Sequence, residues 1–412
     1  MAISTSTVEP APKTVFIVAL LIAVFTGSVI DVVIPITILD VAETFSVLPG
    51  TVAQLDSIIA ITSVTTALLL AGFGGRFRYK SQVMIGLLFI VACDIGLYLA
   101  PSFTLAQLVI PLNGIGSVLI VVTAQTFIGN SYTLDKKAKA IGWTAAASTL
   151  ANAVGAPIIG LVTGMGGWRS VFIWFMLPTA VVSLIVVFLV FPRNLAVPQS
   201  NIKKDSLMTG FKQVFANKSA VACLITAFFI TAYSFGALIF EVTYLRQMFS
   251  ASPGFAALVG PMAGAAIITI GAIVGGHVVN RVGRKRLTVL AILVAGSFLT
   301  LSYFTQDLSL FIALHWLASI FIGITITASS NLMLEQVPRF RGTAMSLNSA
   351  FSGTGTAFGF ALTGAVLNIF INPTIGFQAL GLTVGVLAFS GALVNLFFAK
   401  EPLIINGSHQ NK

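Results

Sequence analysis

The sequence predicts an all-α, polytopic membrane protein, and three observations carry that prediction. Of its 412 residues, 57% are hydrophobic. Only 8% are charged, where soluble domains carry about 25%. The apolar residues also gather into runs of about 20, the length that crosses the hydrocarbon core of a bilayer. A soluble chain of this size cannot bury so much apolar surface, because its interior grows too slowly with length. The surplus must face lipid, where an α-helix pairs every backbone polar group internally.

Twelve segments meet the length requirement: 15–38, 56–73, 82–99, 105–128, 138–165, 171–191, 220–248, 255–279, 287–304, 308–334, 343–369 and 375–399. The first follows fourteen polar residues with a single base, Lys13, and is too long for the apolar core of a cleaved signal peptide. It therefore reads as a retained helix. Segments longer than the minimum allow tilt without fixing an angle. The longest polar stretch, 192–218, divides the chain into two sets of six. The expected units are a bundle over 1–192, a cytoplasmic linker over 193–218 and a second bundle over 219–412. Within the linker, Leu207, Met208, Phe211, Val214 and Phe215 share one helical face behind Asp205 and Ser206. This predicts an amphipathic helix on the inner membrane surface, the alternative being a solvated linker.

The net charge of +10 is explained by topology. All but two of the 22 bases fall in the loops after helices 2, 4, 8 and 10, in the central stretch or at the termini. The exceptions are Arg169 and Arg246. By the positive-inside rule both termini are cytoplasmic, and the location is the plasma membrane, multi-pass. Nucleic acid is not needed as a partner. Cys93 and Cys223 lie inside apolar runs, so neither a disulfide framework nor a metal or cofactor site is indicated.

The two halves resemble each other. Arg76-Phe77-Arg78-Tyr79-Lys80 aligns with Arg281-Val282-Gly283-Arg284-Lys285, and Ser148, Gly155 and Gly160 align with Ser352, Gly359 and Gly364. Internal repeats mark secondary transporters, whose solute site lies between the repeats near mid-membrane. Alternating access, with a small-molecule substrate and a lipid environment, is the expectation.

Four stretches carry a further likeness. Gly276-His277-Val278-Val279-Asn280-Arg281-Val282-Gly283-Arg284-Lys285 is similar to the G-x-x-x-D-R-x-G-R-K loop of the major facilitator superfamily, with Asn280 in place of the aspartate. In the equivalent first-half stretch, Gly75 stands at that position. Both acids are absent, and with them the charge lock the family uses. Val337-Pro338-Arg339-Phe340-Arg341-Gly342-Thr343-Ala344 resembles the family's loop entering helix 11. Gly155-Ala156-Pro157-Ile158-Ile159-Gly160, followed by Gly167-Trp168-Arg169, resembles the glycine-proline motif and sixth-helix start of the drug:proton antiporter branches. Asp31 to Pro35 resembles their first helix. The resemblance implies two pseudo-symmetric six-helix bundles, usually in a monomer. It assigns conformational roles to Gly155, Pro157, Gly160, Gly276, Asn280, Arg281, Gly283, Arg284, Arg341 and Gly342. Close helix packing explains such glycines equally well. One departure stands out: Ile110 occupies the place of the fourth-helix arginine linked to proton coupling in those branches.

Ionisable groups inside spans are costly and are functional candidates by default. Here they are Asp31, Asp94, Glu241 and His315, all counted into the outer half of the bilayer. The family architecture places helices 1, 4, 7 and 10 around the cavity, which makes Asp31, Glu241 and His315 candidates for proton coupling or substrate binding. The competing structural readings are a helix–helix hydrogen bond for Asp31, a pair with Arg246 for Glu241, and a satisfied headgroup-level histidine beside Trp316 for His315. Asp94, on a peripheral helix, reads as structural. Asn113, Gln125, Tyr233 and Asn331 are the uncharged polar candidates.

The leading expectation is proton-coupled efflux of small amphipathic compounds. The alternatives are an uptake symporter or facilitator for a sugar or organic acid, and a non-transporting membrane sensor. The sequence contains no H-E-x-x-H, G-x-S-x-G or phosphate-loop motif, so an enzyme is not expected.

Overall fold

The computed structural model describes residues 14–73, 78–131, 134–191 and 204–401. Twelve helices are long and apolar enough to span a membrane. They are α1 (Val15–Phe45), α2 (Pro49–Leu70), α3 (Tyr79–Leu99), α4 (Phe103–Ile128), α5 (Ala146–Gly166), α6 (Trp168–Val190), α7 (Lys218–Phe249), α8 (Pro253–Val282), α9 (Arg284–Ser302), α10 (Leu308–Gln336), α11 (Pro338–Ile369) and α12 (Pro373–Phe398). They form two six-helix bundles. Residues 14 and 401 share one end of the molecule, here termed the terminal end.

Two boundaries move in ways that matter. The first helix continues past the expected 38 to Phe45, so Asp31 stands near its middle rather than in its outer half. The second begins at Pro49 rather than Asp56, because a proline already fixed at a helical φ opens it. Asp56 is therefore well inside the span.

The halves repeat each other in their hydrogen bonds as well as their order. Ser28 Oγ donates to Ser148 Oγ at 3.0 Å, joining α1 to α5. Thr231 Oγ1 donates to the Ser352 carbonyl at 2.6 Å, joining α7 to α11 at the aligned position. Small residues bring helices together within each half, as expected where lipid supplies no hydrophobic drive for association. A Cβ on Gly355 would overlap the Phe228 carbonyl oxygen, and one on Gly323 would overlap that of Ile268.

The linker helix spans Lys204–Ala216. Val214 is fully buried, in a cluster with Leu332, Met333 and Ala344, and Phe211 packs against that cluster. This part of the expected membrane-facing surface is thus docked on the second bundle, while Phe215 is exposed. The side chains of Leu207 and Met208 lie outside the described residues, as do residues 74–77 of the first-half loop motif.

Hydrogen bonds between the halves cluster at the end opposite the termini. Arg246 at the end of α7 binds Asp40 on α1 with both guanidinium nitrogens, Nη1 to Oδ2 at 2.5 Å and Nη2 to Oδ1 at 3.1 Å. Its Nη1 also donates to the Ile36 carbonyl. Asn368 Nδ2 on α11 donates to Thr51 Oγ1 on α2 at 2.9 Å. Gly50 and Gly364 meet backbone to backbone beside it. On the other flank, a Cβ on Gly160 of α5 would stand 2.8 Å from the Pro253 carbonyl and 3.0 Å from the Gly254 Cα of α8. The halves are closed on each other at this end.

Candidate functional site: an acid-lined cavity between the halves

Below that closure lies a cavity of about 490 Å³, lined by both bundles. Its first-half wall is polar and includes Asp31, Asp56, Ser63, Thr149 and Asn152. Its second-half wall is largely apolar, with Phe235, Leu238, Ile268 and Phe360, and carries Glu241. Among the described residues, its ionisable lining groups are three acids.

Local backbone structure accounts for where the acids stand. Each lies in the first turn of a helical segment: Asp31 in Ile30–Phe45, Asp56 in Gln54–Phe73 and Glu241 in Glu241–Phe249. All three segments begin at interruptions inside a spanning helix, at Val29, at Ala53 and at Ile239–Phe240. Pro35 contributes to the irregularity of α1, since it has no N–H to give the carbonyl of Asp31. Opposite Glu241, α8 forms a π-turn over Leu258–Met262 that contains Pro261. Gly260 within it leaves room for the carboxyl group, because a Cβ there would lie 3.0 Å from Glu241 Cδ.

His315 stands behind Glu241. Its Nε2 is 3.9 Å from Glu241 Oε1, and its Nδ1 is 3.2 Å from Ser302 Oγ. The ring packs against Tyr303 and Phe311 and is almost wholly buried, so it is far from the headgroup-level setting beside Trp316. Glu241 is not paired with Arg246, whose carboxylate partner is Asp40. Asp31 and Glu241 thus share one cavity, with His315 in contact through Glu241.

The uncharged polar candidates fall elsewhere. Asn113 and Tyr233 are fully buried within their bundles, and the Tyr233 hydroxyl is near Ser234 and Thr325. Asn331 Nδ2 donates to the Thr327 carbonyl of its own helix, and Gln125 is exposed. None of the four lines the cavity. Asp94 is buried, with neither carboxylate oxygen hydrogen-bonded. Sequence reading missed Asp56, because the apolar run begins beside it. The signal that finds it is Pro49 as a helix start, seven residues earlier.

The motif residues divide by position. Gly160 lies at the contact between halves, whereas Gly155 has no neighbour within 3.6 Å of an added Cβ. Pro157 sits within a helix that continues to Gly166. Gly276, Asn280 and Arg281 are exposed near the terminal end of α8. Gly283 turns the chain with φ +95°, a conformation that suits glycine. The backbone N–H groups of Arg284 and Lys285 then donate to Glu401 at 2.9 and 2.6 Å. An acid from beyond α12 therefore caps α9, although Asn280 has replaced the acid of the motif itself. Arg341 pairs with Glu335 at 3.3 Å in an exposed setting, and Gly342 has open space around it.

Two halves that meet at one end around a cavity lined by both form the architecture of a membrane transporter. Comparison with known proteins agrees. The chain matches the Major Facilitator Superfamily over residues 16–281 and 224–410, and it belongs to that family, whose members are transporters rather than enzymes. It is 24% identical to Multidrug resistance protein 2 of Bacillus subtilis (strain 168) over 396 residues, covering 90% of this chain and 94% of that one. It is 26% identical to Multidrug resistance protein 1 of the same organism over 375 residues, covering 87% and 90%. Among solved structures, a D-xylose-proton symporter superposes with a TM-score of 0.76 at 14% identity, covering 94% of this chain and 98% of the other.

Proposed function

We propose that the protein is a proton-coupled exporter of small amphipathic compounds, residing in the plasma membrane with both termini cytoplasmic and acting as a monomer. The observation that carries this reading is the cavity: two acids on its first-half wall and one on its second-half wall, where they face aromatic and aliphatic side chains, midway along the spanning helices. A carboxyl group in such a place can exchange a proton with either side as access alternates, and an apolar wall accepts solutes without demanding a fixed shape. Asp31 is the coupling group in this scheme. Glu241 and His315 form a second proton-binding pair. The likeness to two proteins named for multidrug resistance supports the direction of transport. With the termini in the cytoplasm, the closed end is the outer one.

The test uses purified protein in liposomes holding a pH-sensitive dye. Solute added against a proton gradient is expected to move protons the opposite way, and Asp31→Asn is expected to abolish that movement. Efflux that persists undiminished in Asp31→Asn sinks the role of Asp31.

A second reading is favoured by Ile110, which is fully buried at the break before Pro111 and supplies no base there. It is an uptake symporter or a facilitator for a sugar or organic acid. Counterflow of such a solute without dependence on pH is the result that selects the facilitator.

A further inference from the structure

Inside the first bundle, away from the cavity, a carboxylate and an amide are both left without partners. Asp94 on α3 is 1% exposed, and neither of its oxygens is hydrogen-bonded. Asn113 on α4 is fully buried, and its Oδ1 and Nδ2 are likewise unpartnered. Neither residue lines the cavity. The two helices are pressed together on both sides of this level. Toward the terminal end, a Cβ on Gly116 would stand 2.6 Å from the Gly86 carbonyl oxygen. Toward the closed end, one on Gly96 would stand 2.5 Å from Val109 Cγ1. Between those contacts the sulfur of Cys93, the neighbour of Asp94, comes within hydrogen-bonding reach of the Asn113 backbone. The α4 backbone is broken at the same level. Pro111 has no N–H for the Gln107 carbonyl, and the Asn113 N–H donates to the Ile110 carbonyl, three residues back, at 3.0 Å.

A buried carboxyl group must either meet a positive charge or keep its proton. Among the described residues no lysine or arginine is buried, so the chain supplies no such charge here. We propose that Asp94 and Asn113 hold a sodium ion between α3 and α4, with backbone carbonyl groups at the Pro111 break beside them. The donor set is oxygen throughout, which suits a hard cation. One carboxylate balances one charge, and among the described residues no three His, Cys, Asp or Glu side chains come together to hold a divalent metal. The close approach of the two helices selects a small alkali ion. Bound there, the ion ties α3 to the broken part of α4 inside the bundle that carries Asp31 and Asp56. The site goes beyond the efflux reading and does not depend on it.

The test uses purified protein without solute or gradient. Melting is compared in sodium chloride and in N-methylglucamine chloride at equal ionic strength, and binding of radioactive sodium is measured at equilibrium. A ligand of the folded state raises its melting temperature, so a saturable rise with sodium is expected. Asp94→Asn is expected to abolish the rise, and Asn113→Leu to increase the half-saturating sodium concentration by about tenfold or more. Asp31→Asn, Asp56→Asn and Glu241→Gln are expected to keep the full response, because the site is not in the cavity. The readout is the difference between two salts, so a variant that is merely less stable still reports. Should Asp94→Asn not fold, radioactive sodium retained by the unaltered protein and lost from Asn113→Leu carries the test. Equal melting in the two salts with no sodium retained overturns the site and leaves Asp94 with its own proton. A response lost with the cavity acids and kept in Asp94→Asn overturns it as well. The dye assay judges efflux separately, and its failure leaves the sodium response standing.

Discussion

A single methyl group at residue 260 is enough to disturb the acid on the second-half wall. Gly260→Ala places its Cβ 3.0 Å from Glu241 Cδ and 3.2 Å from Oε2, inside ordinary contact distance. The carboxyl group must then move, toward His315 or into the cavity. Overpacking of this kind costs about 1–3 kcal/mol, and we expect melting to fall by several degrees and solute-linked proton flux to drop. Gly155→Ala is the control, since its nearest neighbours are 3.7 Å away, and its melting temperature is expected to match that of the unaltered protein. Unchanged melting and flux in Gly260→Ala would show that Glu241 is not held as described. At this scale the sequence disclosed Asp31 and Glu241, because an acid inside an apolar run is conspicuous. It did not disclose Asp56, which stands at the margin of its run, nor Asn152, whose polarity is unremarkable among its Ser and Thr neighbours.

Helices in this molecule are joined where side chains are absent. Along α11, Gly355 and Gly359 face the backbone carbonyls of Phe228 and Ala232 on α7, and a Cβ at either would overlap them. Backbone cannot swing aside as a flexible side chain does. Gly355→Ala is therefore expected to cost about 1–3 kcal/mol, seen as a lower melting temperature in detergent with the far-ultraviolet helical signal retained. An unaltered melting temperature counts against the described packing of α7 on α11. The element scale also shows how a lost acid is replaced. Glu401 caps α9 through the N–H groups of Arg284 and Lys285, and Glu401→Gln is expected to weaken that start by about 1 kcal/mol. Faster hydrogen exchange confined to those amides is the signature, and unchanged exchange removes the cap. The loop motif was visible in the sequence, but its capping acid is 117 residues from Arg284 and belongs to no local pattern.

For the whole molecule, the closed end is held by contacts between halves, with the Asp40–Arg246 pair as its one ion pair among the described residues. Both side chains are partly exposed, so the pair is worth about 0.2–1 kcal/mol, which displaces a two-state equilibrium by up to about fivefold. Arg246→Gln is expected to populate states open at this end, and the exchanged pair Asp40→Arg with Arg246→Asp is expected to recover much of the closure. Spin labels at Leu48 and Ile371, both exposed near this end on opposite halves, report it as a longer distance component. The native cysteines, Cys93 and Cys223, are buried and do not compete for the label. A distance distribution identical in all three proteins assigns the closure to the remaining contacts, the Asn368–Thr51 hydrogen bond and the glycine approaches.

The sequence by itself determined the number of spans, the division into halves, the repeat between them and the family motifs. Those features follow from one-dimensional quantities: the length of an apolar run against the thickness of a bilayer, and the placing of bases between runs. What only the tertiary structure decided is which residues meet. Rotation of each helix about its axis, set by where glycine allows a neighbour to approach, turned Asp56 and Asn152 toward Asp31 and left Asn113 and Tyr233 inside their bundles. The same packing gave Arg246 to Asp40 instead of Glu241 and put His315 behind Glu241. A polar residue in a span must find a partner or a cavity, and the chain order alone does not say which.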